Sequence, residues 1–164
     1  MIPAMFKHPR RSNRFVLAIC IWAALSIGCR GPITHGDAQL PNFQMVNSSL
    51  YRGGQPTHDG LARLHDMGIK TVINVRQGDT DHELLDGLEF EYELRGMSAF
   101  SPCDEDVIWF LRIATDPSRG PVFLHCYHGS DRTGYLVAMF RIVVEGWDAE
   151  RAIAEMTADG NGFY

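Results

Sequence analysis

The ten residues "HCYHGSDRTG", His125 to Gly134, set a thiol ahead of an arginine with a glycine between them, and the apolar run "PVFL" leads in. A strand that stops, a tight turn and a helix that starts at once leave several backbone N–H groups aimed at one spot, with the helix dipole behind them. That is an anion cradle. A cysteine on the rim of such a cradle is pushed toward thiolate by the amides and by a nearby arginine, from about 8.5 into the range of roughly 3.5–7.5. Cys126 is therefore the candidate nucleophile, and the planar fork of Arg132 can hold two phosphoryl oxygens at once. The turn itself, Tyr127, His128, Gly129, Ser130 and Asp131, supplies the remaining phosphate-binding set. A metal reading of His125, Cys126 and His128 fails on geometry, because neighbours in one tight turn do not offer three converging ligands.

Placing that loop requires a strand before it and a helix after it. "PVFL" reads as the strand, and Leu136, Met139, Phe140 and Val143 form the apolar stripe of the helix. Upstream, "NFQMVNSSLYRGGQP" holds two short β-like pieces with a turn at Gly53-Gly54. Thr57 caps a helix that carries Leu61, Leu64 and Met67 and ends at Gly68, and "IKTVINVR", Ile69 to Arg76, is a buried strand. "DHELLDG" is expected as a short helix, and "LEFEYEL" alternates Leu88, Phe90, Tyr92 and Leu94 against glutamates as a half-exposed strand. In "SPCDED", Ser101 can cap, Pro102 take the first helical position and Asp104 the third, ahead of a face of Val107, Phe110, Leu111 and Ala114. Asp148 caps a last helix, "AERAIAEM". Strands alternating with helices predict one α/β domain: a mainly parallel sheet of four to five strands flanked by helices, with its chemistry where strands end and helices begin.

The chain has 164 residues and a formal net charge of −5. Residues 1–29 hold Lys7, Arg10, Arg11 and Arg14 and no acids, so the remainder is more acidic still, which disfavours a nucleic-acid partner. That first stretch reads as an export signal: a basic region, then the apolar "FVLAICIWAALSIG" stopping at Cys29, too short for a comfortable membrane span. The stop "LSIGC" resembles a bacterial lipobox, which implies a lipidated Cys29, an envelope location and a membrane tether; an ordinary signal peptide or uncleaved anchor is the alternative. Residues 30–42, polar and turn-rich, are expected as a linker, leaving 43–164 as the domain. Only Cys103 and Cys126 fall in that domain, so no disulfide framework is expected, and a bridge between them would act as a redox switch.

"HCYHGSDRTG" resembles the His-Cys-x5-Arg-Thr-Gly signature of the protein tyrosine and dual-specificity phosphatase superfamily, and "LYRGGQP" and "GIKTVINVR" resemble its compact bacterial and atypical members. The resemblance implies a phosphatase fold and a metal-free phosphomonoester hydrolase that needs no cofactor. Its cysteine, here Cys126, attacks phosphorus, and its arginine, here Arg132, clamps the phosphoryl oxygens. Thr133 matches the hydroxyl that helps the intermediate break down and His125 the residue that supports the thiolate. The family's general acid is an aspartate on a separate upstream loop, but "LRGMSAF" holds none. Asp104 is the nearest loop candidate, slightly ahead of Asp131, since "GSDRTG" also resembles loops whose internal aspartate is the acid; Asp106 comes third. The resemblance also implies a further helix beyond Tyr164. With Tyr127, His128 and Asp131 rather than lysines beside the cysteine, a phosphotyrosine-like or small monoester suits the loop better than a multiply charged substrate. A lipid or inositol phosphatase stays open, as does a pseudophosphatase that keeps the cradle without an acid.

Overall fold

Alternating and continuous apolar runs decide the sheet. The computed structural model describes residues 37–78 and 81–158. Its strands are β1 (Gln44–Met45), β2 (Leu50–Gly53), β3 (Thr71–Asn74), β4 (Glu91–Leu94) and β5 (Val122–His125). They form one sheet of order β1-β2-β5-β3-β4. The last strand in sequence lies at the centre, parallel to β2 on one side and to β3 on the other, and β3 also pairs in parallel with β4. Among the described strands only β1 runs antiparallel, along β2. All four residues of β3 and of β5 are buried, as a strand covered on both faces demands.

Strand pleating then splits the core in two. Val72 and Phe123 pack with Leu40, Leu61, Leu64 and Ile69 on one face; Ile73 and Leu124 pack with Val107, Phe110, Ile113, Leu136 and Phe140 on the other. The first face belongs to α1 (His58–Asp66), where Thr57 Oγ1 accepts the Gly60 N–H at 3.2 Å and Leu61 and Leu64 are buried. The second belongs to α2 (Asp104–Ala114) and α3 (Asp131–Val143), with α4 (Ala149–Thr157) capped by Asp148 through the Arg151 N–H at 2.8 Å.

Several local expectations shift. Met67 is the C-cap of α1 and exposed, because the backbone turns into left-handed Gly68 (φ 81°) before it can join the apolar face. Val143 likewise ends α3 exposed. "DHELLDG" forms turns rather than a helix: it is too short to repay nucleation, and Leu84 and Leu85 anchor it as partly buried residues against the α1-side core. In β4 only the middle pair, Tyr92 and Glu93, is partly buried, and Leu94 is exposed. The N-cap of α2 is Cys103 rather than Ser101, because the Asp106 carboxylate accepts the Cys103 N–H at 3.4 Å; Asp104 thus becomes the first helical residue, not the third. Leu111 is only partly buried there, and Ile113 takes its place in the core.

The linker expectation needs correction at its end. Leu40 is buried in the α1-side core, and the carbonyls of Gln39 and Pro41 accept the N–H groups of Thr57 and Gly54 at 3.1 and 2.7 Å. Composition misses this because one apolar anchor is enough to dock a polar segment. The signal expected in residues 1–29, with Cys29, lies outside the described residues. Among the described residues no helix is long and apolar enough to cross a membrane.

Candidate active site

β5 delivers His125 at its C-terminal end, Cys126 follows at once, and α3 starts at Asp131, so residues 126–130 span the gap between strand and helix. The orientation of this loop is set from outside. The Tyr127 carbonyl accepts the Gln55 N–H at 2.9 Å. The His128 carbonyl accepts Asn42 Nδ2 at 2.7 Å, and the Gly129 carbonyl accepts Arg52 Nη2 at 2.7 Å. A trans peptide points its C=O and N–H in opposite directions within one plane. Three carbonyls drawn outward therefore turn the N–H groups of His128, Gly129 and Ser130 the other way, and the Gly129 N–H indeed donates to Cys126 Sγ at 3.2 Å.

Glycine is required at one position of this motif and eases close packing at a second. Gly129 adopts φ 77°, and a Cβ there would come within 2.5 Å of the Gly53 backbone. Gly134, on α3, lets Met156 and Arg52 approach: a Cβ would lie 3.1 Å from Met156 Cγ and 3.6 Å from Arg52 Nη2.

Two buried charges flank the loop on opposite faces of the sheet. On the α1 side His125 is fully buried, its ring stacks on Phe123, and its Nε2 lies 3.1 Å from Asp81 Oδ2. Asp81 is itself buried and also accepts from Asn74 Nδ2 and Gln55 Nε2, each at 2.6 Å, and from the Tyr92 hydroxyl at 3.1 Å. Burial pushes its carboxyl up, yet the bond and charge of His125, with Gln55 and Tyr92, outweigh this and hold it at about 2. On the α3 side Arg52 is buried beneath Gly129. Thr133 is also buried, and among the described residues neither its Oγ1 nor Arg132 Nε has a hydrogen-bond partner.

A cleft of about 230 Å³ opens beside Arg132 and Asp131. Its other walls are Met97, Ser98, Ala99, Phe100, Pro102 and Tyr135, so the "MSAF" stretch stands where the acid-bearing loop was expected and contributes no carboxylate. Asp104 is exposed at the start of α2 and does not line this cleft. Asp106 is unsuited to donate a proton: although burial raises its carboxyl, the 2.6 Å bond from Arg95 Nε and its bonds with Cys103 bring it below the ordinary value. Tyr127 stands half-exposed on the rim, with the Arg76 guanidinium 5.1 Å from its ring centre and the His128 ring edge-on at 4.7 Å. Cys103 and Cys126 are both free, Cys103 exposed and Cys126 buried. Among the described residues no three His, Cys, Asp or Glu side chains are grouped to hold a metal ion.

Sequence reading missed the struts Asn42, Arg52 and Gln55 and the acid Asp81. A signal existed for Arg52: strand alternation puts it on the same face as Leu50, which is fully buried. None existed for Asp81, one of several acids in a polar stretch.

Asp81 also gives the fold an acid limb. Its folded-state value of about 2 lies below the unfolded carboxylate near 3.9, so the stabilisation is fully present above about pH 5 and is lost as pH falls toward 2, an effect on the order of 2 kcal/mol. Urea unfolding of wild type and Asp81→Asn should differ at pH 7, the difference falling to about half at pH 3 and closing only toward pH 2; a difference that stays constant would contradict this.

Comparison with known proteins agrees with the site. The family model "DSP-PTPase phosphatase fused to NAD+ Kinase" matches residues 35–163. The chain is 35% identical to the dual specificity protein phosphatase TpbA of Pseudomonas aeruginosa over 96% of its length and 77% of that protein. It is 28% identical to the inositol diphosphatase DSP5 of Arabidopsis thaliana, over 70% of this chain and 60% of that one. The crystal structure of P. aeruginosa TpbA superposes with a TM-score of 0.70 at 34% identity, covering 77% of this chain and 78% of the other. That of its cysteine-to-serine variant in complex with pTyr gives 0.68 at 34% identity, covering 74% and 75%. A buried cysteine that accepts the Gly129 N–H, in a signature loop on a fold shared with these proteins, places the chain in the DSP-PTPase family of cysteine-dependent phosphatases.

Proposed function

We propose that the chain hydrolyses phosphotyrosine-like monoesters through a cysteinyl-phosphate intermediate on Cys126. The observation that carries this is the loop orientation, with three carbonyls tied outward and the Gly129 N–H on Cys126 Sγ at 3.2 Å. A phosphoryl group seated there meets main-chain donors already in place, so its developing charge is stabilised with no reorganisation. Arg132 takes two of its oxygens and fixes the line of attack. The S–P bond forms as the bond to the leaving oxygen breaks, and that oxygen takes a proton from the general acid. Water then adds to phosphorus, giving a proton to the carboxylate left by the first step, the S–P bond breaks, and phosphate leaves with the thiolate regenerated. Buried beside the loop, the Thr133 hydroxyl is suited to assist that second step.

Asp131 is the better general acid of the candidates. It lines the cleft together with Arg132, whereas Asp104 does not and Asp106 is bound to Arg95. Met97, Ala99, Phe100, Pro102 and Tyr135 give that cleft apolar walls that suit an aromatic ring. Kinship with an inositol diphosphatase supports a second reading, a highly phosphorylated inositol substrate, but the apolar walls favour the aryl ester.

Purified protein should cleave an aryl phosphate with EDTA present, and faster than an inositol polyphosphate; Cys126→Ser should lose at least about a thousandfold in rate. Asp131→Asn should flatten the alkaline limb of the pH–rate profile while Asp104→Asn leaves it unchanged, and the reverse pattern would move the acid to Asp104. From residues 1–29 we further propose an exported, envelope-tethered protein. Fractionation should find the full chain with the membrane and Cys29→Ala in the soluble fraction; equal partition of the two would remove the lipid anchor from the account.

A further inference from the structure

Arg52 places a buried charge where the spacing of the catalytic motif asks for none. It is 2% exposed and sits on β2 level with Leu124, on the sheet face covered by α3. Its Nη2 donates to the Gly129 carbonyl at 2.7 Å, and its Nε has no hydrogen-bond partner among the described residues. No carboxylate among the described residues lies within ion-pairing distance of it. Burial pulls the guanidinium down to about 10, Glu155 and Cys126 hold it up, and Arg141 opposes them. It therefore stays charged at neutral pH. Glu155 is already committed, accepting Arg141 Nη2 at 2.7 Å and Nε at 2.9 Å. Glu155 is thus shared between two guanidiniums, and the other favourable charge on Arg52 is Cys126 in the loop above it. A buried cation without a bound carboxylate is costly, and is tolerated where a counter-charge is supplied by function.

We infer that Arg52 is a positioning residue of the phosphate site, a second guanidinium acting from beneath the loop: it holds the Gly129 carbonyl outward, so that the Ser130 N–H faces the bound phosphoryl group, and its charge, which Glu155 shares with Arg141, is further balanced by the anion in the loop. This rests on the proposed phosphatase chemistry but not on turnover. Arg52 touches the floor of the loop and never the substrate. Arg132 grips the phosphoryl group from the side of α3, and the Asp81–His125 pair braces the opposite face. Removing Arg52 therefore weakens anion binding and thiolate formation together.

The test compares the full-length chain, in detergent, with Arg52→Met and Arg52→Lys. Three readouts are taken: thermal melting, the pH profile of Cys126 alkylation by iodoacetamide followed by peptide mass spectrometry, and protection from that alkylation by inorganic phosphate. Arg52→Met should move the alkylation profile upward by about one pH unit and weaken phosphate protection about tenfold. Arg52→Lys, which keeps the charge, should restore most of both. A methionine variant that melts lower but keeps the wild-type profile and protection would reduce Arg52 to packing and overturn the inference. If methionine does not fold, Arg52→Gln, which keeps a donor for Gly129 and removes the charge, must show the same upward shift; a superimposable profile overturns it equally. Lack of hydrolysis by the wild type with phosphate protection intact would sink the phosphatase reading and leave Arg52 standing.

Discussion

A planar peptide cannot turn its oxygen outward without turning its hydrogen inward, and the site depends on that constraint applied to consecutive peptides of one loop. The outward pull comes from far along the chain: Asn42 lies 86 residues from His128 and Arg52 lies 77 from Gly129. Loss of one strut would let its peptide rotate toward solvent and remove a donor from the cradle. Asn42 itself holds φ 51°, a left-handed conformation that asparagine tolerates better than most residues, and so aims its amide at the loop. The parallel sheet exists, for this purpose, to bring the segment around β2 beside the end of β5.

Charge is arranged with the same economy. Cys126 joins the apolar core cluster on the α2 and α3 side, and one buried ion of each sign flanks its loop. The positive ion is Arg52 on that face. The negative one is Asp81 on the other, where it holds the His125 ring and also accepts from Gln55, whose own N–H fixes the Tyr127 carbonyl. Asp81 thus links the residue before the cysteine to a strut behind the loop, which is why a single buried carboxylate touches so much of the site.

Much of this was legible in the sequence, and the boundary between what was and was not is physical. The strand, loop and helix around Cys126 are contiguous, so period and glycine placement reveal them locally. The capping roles of Thr57 and Asp148 follow from residue type and the apolar pattern beyond them. The cap of α2 does not, because Asp106 and Arg95 decide it through a tertiary contact. "DHELLDG" misleads for a related reason: its helical propensity is weaker than the anchoring of Leu84 and Leu85 to the core. Asn42, Gln55 and Asp81 are invisible to spacing, since each acts across the sheet on a residue distant in sequence. Leu40 shows the converse, a lone apolar side chain that carries a polar segment into the domain.

The most direct test of the convergent amides is a crystal structure of the protein with vanadate. The account predicts vanadium bonded to Cys126 Sγ, its equatorial oxygens receiving the N–H groups of His128, Gly129 and Ser130, and the Arg132 guanidinium bridging two of them. Vanadate bound elsewhere, or bound at Cys126 with those amides facing away from it, would contradict the account.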